Sequence, residues 1–506
     1  MDRRQFLGAS LAPGIHTDEG GQQGRPNFLV LMSDQHSPHV AGCYGDRVVQ
    51  TPHFDALASQ GVLFEHAYCQ SPICVPSRMS FLTGQQPSAI RVWSNPDILA
   101  SDIPTFAHAL GAGGYETALI GRMHFQGVDA SHGFERLLVG NITPTYAHIP
   151  HSLPRDLLVG AGGNSCAAVA LAGPGRTAYQ AHDEQVAEAA VEYLRQKARQ
   201  KERPFCAVAG FVLPHAPYIC EKSDWDYYLR RVTLPDIPEG YYETLHPAMK
   251  VWRKSRGLEG LTRDEVRKAR AAYYGLVTHF DRLVGQVTRA LRESGLDRDT
   301  VVIYVSDHGD MAGEHGMFWK NSFYEGSVGV PLIVSCPARF QPGRRIQQIA
   351  SLVDIGPTLI DMAGAPKLPD ATGRSLLPLL SGGSAADWPN EAFSEFPSTR
   401  GVPAMRMIRS GRWKLNHYEG FRPQLFDLEN DPHEFCDLGE TLEHAEVREK
   451  LHRRVLAGWS AALMEEELRR RAANRQVLRD WALRTKPPAP NQWRPPAGSN
   501  LFRKEN

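Results

Sequence analysis

Short apolar runs that stop at polar residues recur along the 506-residue chain. Phe28-Leu29-Val30-Leu31-Met32 follows Pro26 and ends at Ser33-Asp34. A run of that length without alternation predicts a strand buried on both faces. Residues 117–120, 205–213, 300–305 and 331–334 repeat the pattern, with 300–305 giving the strongest strand signal. Helical spacing fills the intervals: 51–60, opened by Thr51 as cap and Pro52 in the first turn; 104–113; 178–200; and 263–294, as one long amphipathic helix or two. Strands alternating with helices predict an α/β fold, a mostly parallel sheet sandwiched by helices. In such sheets sites form beyond the carboxyl ends of strands. Asp34, Arg122, His215 and Asp307 each follow such an end, so separate strands bring polar residues to one rim.

Beyond Ser375 the texture changes. A Pro- and Gly-rich stretch at 377–390 reads as a boundary, and short runs such as Ala404-Met405-Arg406-Met407-Ile408 and Gly411-Arg412-Trp413-Lys414-Leu415 predict a smaller C-terminal antiparallel-sheet subdomain. Residues 443–478 read as helical and highly charged, and 486–506, with its Pro-Pro and Arg-Pro-Pro, as an irregular tail. The division expected is a leader and linker over 1–24, a main domain over 25–380, an α+β subdomain over 381–465, and a helix end with Pro-rich tail over 466–506. No internal repeat is visible.

The N-terminal Met1-Asp2-Arg3-Arg4-Gln5-Phe6-Leu7-Gly8 resembles the start of a twin-arginine export signal. Pro13 and Gly14 cut its apolar stretch to the short limit of the roughly 7–15 residues such a core needs. Export to a periplasm and a basic, solvated start of a cytoplasmic chain both stay open. No run of about 18–20 apolar residues predicts a transmembrane segment.

Lys+Arg and Asp+Glu balance at 56 each, which argues against a nucleic-acid partner but not against a small anion held by a few local cations. The eight cysteines, Cys43, Cys69, Cys74, Cys166, Cys206, Cys220, Cys336 and Cys436, include no C-x-x-C pair and are too sparse for a disulfide scaffold.

One of them stands in Cys74-Val75-Pro76-Ser77-Arg78, followed by Thr83-Gly84. This segment resembles the C-x-P-S-R signature of the type I, formylglycine-dependent sulfatases of the alkaline phosphatase-like superfamily. The resemblance implies that a formylglycine-generating maturation enzyme oxidises Cys74. One hydroxyl of the hydrated aldehyde would attack sulfur, and the second would expel sulfate. Arg78 would compensate charge and orient the nucleophile. Asp34-Gln35 and Asp307-His308 end two strands and, with Cys74, could surround a divalent cation: Ca²⁺ first, with Mg²⁺ or, through the imidazole, Mn²⁺ as alternatives. Alone, Asp34 could cap a helix and Asp307 make a turn.

Gly121-Arg122-Met123-His124 resembles the family's G-K-x-H element, in which the Lys binds a sulfate oxygen and the His holds the nucleophile; here Arg122 replaces the Lys, with a planar and bidentate head. Pro214-His215-Ala216-Pro217-Tyr218 resembles the element whose His serves as general acid, and Gly316-Met317-Phe318-Trp319-Lys320 the one that supplies a second sulfate-binding Lys. No role is assigned to His315; His36 and His39 are expected at the rim or in the substrate pocket. Phe426-Asp427-Leu428-Glu429-Asn430-Asp431-Pro432 resembles a turn of the sulfatase C-terminal subdomain, so the family's elements run in order over about residues 26–440.

Asp-Gln and Asp-His, in place of the paired Asp and Asp-Asn of common arylsulfatases, resemble choline sulfatases and the related phosphonate monoester hydrolases. Asn95 matches a substrate-contacting Asn of that subgroup. A trimethylammonium group needs an aromatic cage, yet residues 137–150 offer Tyr146 and no Trp. The substrate class expected is therefore a sulfate ester of a small alcohol or a carbohydrate. Two readings compete with it: a phosphonate or phosphate monoester or diester hydrolase on the same fold, against which Ser77 argues, and a non-catalytic binder of sulfated ligands with Cys74 unoxidised. By analogy with the choline sulfatase group, the C-terminal helix and tail could pack on another subunit of a homo-oligomer.

Overall fold

The structure, a computed structural model, describes residues 24–143, 146, 163–200, 202–383, 386–489 and 491–502. The expected leader, apart from Gly24, and most of 144–150 lie outside the described residues.

Eight strands form the main sheet: β1 (Asn27–Asp34), β2 (Val62–Phe64), β3 (Glu116–Gly121), β4 (Arg136–Leu138), β5 (Phe205–Pro214), β6 (Thr300–Ser306), β7 (Leu332–Ser335) and β8 (Arg344–Ile346). Their order is β8-β2-β7-β6-β1-β5-β3-β4. β1 runs parallel to β5 and β6, and β3 to β5 and β4, while β7 runs antiparallel to both its neighbours. All residues of β5 and β6 are buried, as strands covered on both faces require.

The helices α1 (Pro52–Ser59), α2 (Cys74–Thr83), α3 (Phe106–Ala112), α4 (Ala178–Arg199), α5 (Pro247–Ser255), α6 (Arg263–Glu293) and α7 (Ile355–Ala363) surround this sheet, except α5, which is tied through Trp252 Nε1 to the Asn321 carbonyl at 2.8 Å. α6 packs on α1, α4 and β5, whereas α7 packs on α2 and α3. The apolar stretch at 263–294 is one helix, started by a capping box in which Thr262 and Glu265 satisfy each other's backbone N–H.

A second sheet runs β9 (Glu391–Phe396), β10 (Met405–Ser410), β11 (Trp413–Tyr418) and β12 (Gln424–Asp427), antiparallel in sequence order. The alternation of its side chains gives it two apolar faces. Met405, Met407, Tyr418 and Phe426 join the main core, while Ile408, Leu415 and Leu425 pack on Leu451 and Val455 of α8 (Ala445–Leu456). The helical stretch expected over 443–478 is two helices. Gly458, in a left-handed conformation at φ 69°, separates α8 from α9 (Ala461–Thr485).

The tail is less irregular than its prolines predict. Leu501–Phe502 pairs antiparallel with Gly175 and Arg176, and buried Trp493 packs on Ile142, Ala178 and Val212. Proline removes ladder hydrogen bonds but leaves a neighbouring indole free to anchor the chain.

Candidate active site

Every residue of α2 is buried, and Cys74 opens it. The helix therefore points its free backbone N–H groups and positive dipole end at the thiol, an arrangement that favours an anion there. Asn95 Oδ1 accepts one of these donors, Val75 N, at 3.0 Å. Ser77 Oγ donates to the Asp307 carbonyl and ties the first turn of α2 to the end of β6.

The rim expected from strand ends is assembled around this thiol. Cys74 Sγ lies 3.6 Å from Asp34 Oδ1, 3.3 Å from His308 Nε2 and 3.5 Å from Lys320 Nζ. Asp34, Cys74, Asp307 and His308 each offer a ligand atom within 4.8 Å of the others, and all four are buried. The donor chemistry fits a divalent ion. Burial lowers His308 to about 4, so its imidazole is neutral, and Nδ1 faces the Gly309 carbonyl at 3.0 Å, which directs Nε2 at the cluster. Burial alone would raise Asp34, but Arg122, His215, Arg78 and Lys320 outweigh it and hold the carboxyl well below the usual range.

Arg78 is fully buried and knits the two acids together. Its Nε donates to Asp307 Oδ2 at 2.8 Å, and Nη2 to Asp34 Oδ2 at 3.1 Å. Nη1 donates to the Arg122 carbonyl at 2.9 Å. Arg122 reaches the site because Gly121 turns at φ 88° and Gly210 has no side chain: a Cβ on Gly210 would stand 1.8 Å from the Arg122 carbonyl oxygen. Arg122 Nε then pairs with Asp34 Oδ2 at 3.0 Å, and Nη2 faces His124 Nδ1 at 2.7 Å.

Lys320 spends all three of its N–H donors inside the site, on Gln35 Oε1 at 2.5 Å, His215 Nε2 at 2.8 Å and Cys74 Sγ at 3.5 Å. His215 Nδ1 faces the Ala216 carbonyl, so its Nε2 receives the lysine proton.

Cys74, Arg78, Arg122, His215, Lys320, Asp34, Asp307 and His308 thus converge. Two expected members sit differently. Gln35, left-handed at φ 69°, donates its backbone N–H to Asp307 Oδ1 at 3.1 Å, while its side chain turns the amide oxygen to Lys320 and donates through Nε2 to Asp310 Oδ2 at 2.6 Å. His124 contacts Arg122, and burial, with that arginine next, pushes its imidazole well below the ordinary range. His36 does not line the pocket: it is buried between Tyr304 and the Val40 carbonyl. His39 pairs with Glu314 at 3.0 Å beside a separate cavity of about 640 Å³. His315, given no role, is packed face to face on Tyr324. Tyr146 meets Trp481 of α9 edge to face at 5.6 Å, an aromatic partner supplied from more than 300 residues away.

Sequence reasoning missed three residues. Tyr179, in the first turn of α4, sits edge-on to His215 at 6.0 Å and feels Arg122, Asp34 and Cys74. Asp310 accepts from Gln35, Tyr218, Ala312 N and Trp319 N, and so shapes the loop that delivers Lys320. Asp183 accepts from Val212 N and Leu213 N and fixes the end of β5 before His215. Only Asp310, three residues after Asp307, carried a signal, as a third polar residue beyond the same strand.

Comparison with known proteins gives one consistent answer. The family model described as Sulfatase matches residues 26–365, and the model described as N-sulphoglucosamine sulphohydrolase, C-terminal, matches 313–459. The chain is 33% identical over 430 residues to a choline-sulfatase of Rhizobium meliloti (strain 1021), covering 82% of this chain and 83% of that protein. It is 31% identical over 435 residues to arylsulfatase K of Danio rerio, covering 82% and 80%. The crystal structure of a phosphonate monoester hydrolase of Agrobacterium radiobacter superposes with a TM-score of 0.71 at 25% identity, over 86% of this chain and 95% of that one.

Proposed function

We propose that this chain, which belongs to the sulfatase family and is a sulfuric ester hydrolase, works through a formylglycine made from Cys74 beside a divalent ion held by Asp34, Asp307 and His308. The observation that carries the reading is the position of Cys74 Sγ, at the start of a buried helix and within 3.3–3.6 Å of His308, Lys320 and Asp34.

Formylglycine made from Cys74 would supply, as its hydrate, one hydroxyl nucleophilic toward sulfur and a second able to expel sulfate by re-forming the aldehyde, which water would then rehydrate. A bound divalent ion supplies Lewis-acid charge that favours the ionised hydroxyl and neutralises sulfate oxygens. The chain's own residues do the rest. Arg78, tied to both acids, fixes them and offsets part of their charge. Arg122 offers N–H donors to the sulfate oxygens where charge develops, and Lys320 adds the N–H that now faces Cys74 Sγ at 3.5 Å. His215 Nε2, which accepts from Lys320 Nζ at 2.8 Å, is placed to pass that proton on to the leaving alkoxide. Gln35 positions Lys320, and His124 positions Arg122.

The substrate is a sulfate ester of a small alcohol or carbohydrate. The residue set Asp34-Gln35 and Asp307-His308, together with the likeness to a phosphonate monoester hydrolase, makes phosphonate esters the informative comparison. With formylglycine-bearing protein, sulfate esters are expected to be turned over faster than matched phosphonate esters at equal concentration; the reverse order would replace this reading by the phosphonate one. Cys74→Ala is expected to abolish turnover without changing the unfolding midpoint, and undiminished turnover would refute the nucleophile. Chelation is expected to remove activity and added divalent ion to restore it; full activity in metal-free protein would refute the ion site.

A further inference from the structure

Next to this site lies a positive charge that the mechanism does not use. Arg256, at the end of α5, is 2% exposed. Its guanidinium stacks over Trp252 at 4.0 Å, and Nη1 donates to the Trp252 carbonyl at 3.3 Å and to Ser255 Oγ at 3.1 Å. Nη2 donates to Asn321 Oδ1 at 3.4 Å, and Nε is buried with no partner. Among the described residues no carboxylate pairs with Arg256. The charge that acts on it is another cation, Arg400, exposed on the turn between β9 and β10, and burial together with Arg400 pulls Arg256 down to about 9.

The position of this pair matters. Asn321 directly follows Lys320, whose Nζ is 3.5 Å from Cys74 Sγ. Asn321 donates from Nδ2 to the carbonyl of Pro72, two residues before Cys74, at 3.0 Å, and its Oδ1 also receives Asn164 Nδ2 at 3.4 Å. Arg400 Nη1 donates to the Asn164 carbonyl at 2.9 Å. Asn164 and Asn321 therefore join both guanidinium groups to the loop that presents the nucleophile. A buried guanidinium without a counter-ion, linked through Asn321 and Asn164 to a second one, is costly in isolation and is relieved by an anion at the pair. Arg400, exposed and held through Nη1 on the Asn164 carbonyl, can present its planar guanidinium to an anion, and the Arg256 charge adds to the field in a region of low dielectric.

We propose that Arg400 and Arg256 form an anion subsite beside Cys74, so that the alcohol released from the sulfate ester itself carries a second negative charge, as a carboxylate or a further sulfate. This rests on the sulfatase reading above and deepens it. A cationic alcohol would instead meet the charges of Arg400, Arg256, Lys320 and Arg122, while Asp34 and Asp307 are already paired with Arg78 and Arg122.

The test uses formylglycine-bearing full-length protein and two matched pairs of substrates. One pair is a hexuronate sulfate and the hexose sulfate that lacks its carboxylate; the other is a hexose disulfate and the corresponding monosulfate. In the unaltered protein, kcat/KM is expected to favour the charged member of at least one pair by about tenfold. Preference in the first pair identifies a carboxylate, and in the second a further sulfate. Arg400→Ala, on an exposed turn where folding is not at stake, should bring that ratio close to one; Arg400→Lys should retain part of it; and Arg256→Gln should lower it. Equal kcat/KM within both pairs, or an unchanged ratio in Arg400→Ala, would overturn the proposal. Calorimetric binding of free hexuronate, hexose sulfate and hexose separates this from the sulfatase reading. Should no sulfate ester be turned over, that reading falls. Tighter binding of either charged probe than of hexose, lost in Arg400→Ala, would still uphold the subsite, and equal binding would refute it.

Discussion

Cys74, Asp34 and Asp307 were legible as residues because each stands where a sequence pattern changes: two at the abrupt ends of apolar runs, one at the head of a short motif. What the sequence did not carry is how one guanidinium organises them. Arg78 is buried with no exposure and pairs with both Asp34 and Asp307. Removing it leaves two buried acids less compensated, so Arg78→Ala is expected to destabilise the fold by about 3–5 kcal/mol, measured by urea unfolding, besides removing activity. Arg78→Lys should not restore stability, since one ammonium cannot reach both acids and the Arg122 carbonyl together. A loss below about 0.5 kcal/mol for Arg78→Ala would mean that the acids are not held as described. Tyr179 and Asp183 lay beyond sequence reasoning for a plain reason: a position in the first two turns of a helix carries no mark of the distant strand end it will face.

At the scale of elements, apolar periodicity identified the long strands and helices, and it merged α8 with α9 because a single glycine between charged helical stretches leaves the pattern intact. Strands as short as β2 and β4, three residues each, leave no periodic trace and form because neighbouring strands offer them a ladder. The loop from β6 to Lys320 is anchored by the pairing of Glu314 with His39, a histidine that the sequence left at the rim. The Glu314 charge outweighs burial and raises His39 to about 9. A folded-state value above the ordinary 6.5 makes this contribution complete below about 6.5 and lost as pH rises through about 9. The unfolding midpoint of His39→Gln is thus expected to fall below that of the unaltered protein at about pH 6 and to approach it at about pH 10. A gap independent of pH would show that His39 acts by packing and not by charge.

For the molecule as a whole, composition excluded more than it revealed: a balanced net charge hides a strongly cationic site, since Arg122, Lys320, Arg256 and Arg400 gather from elements spread over nearly 280 residues of sequence. The boundary drawn near residue 380 marks a change of texture, and the small sheet beyond it shares one face with the main core through Met405, Met407, Tyr418 and Phe426. We propose on that basis that the subdomain is a covering layer of the catalytic domain and not an independent unit. Among the described residues no helix is long and apolar enough to cross a membrane. The central claim is that Cys74 becomes the nucleophile, and it is tested most directly by following sulfate release against the fraction of Cys74 converted to formylglycine, read from peptide mass, across preparations made with graded amounts of a maturation enzyme. Activity proportional to conversion, extrapolating to zero in unconverted protein, is the result predicted. Equal activity at all degrees of conversion would contradict it.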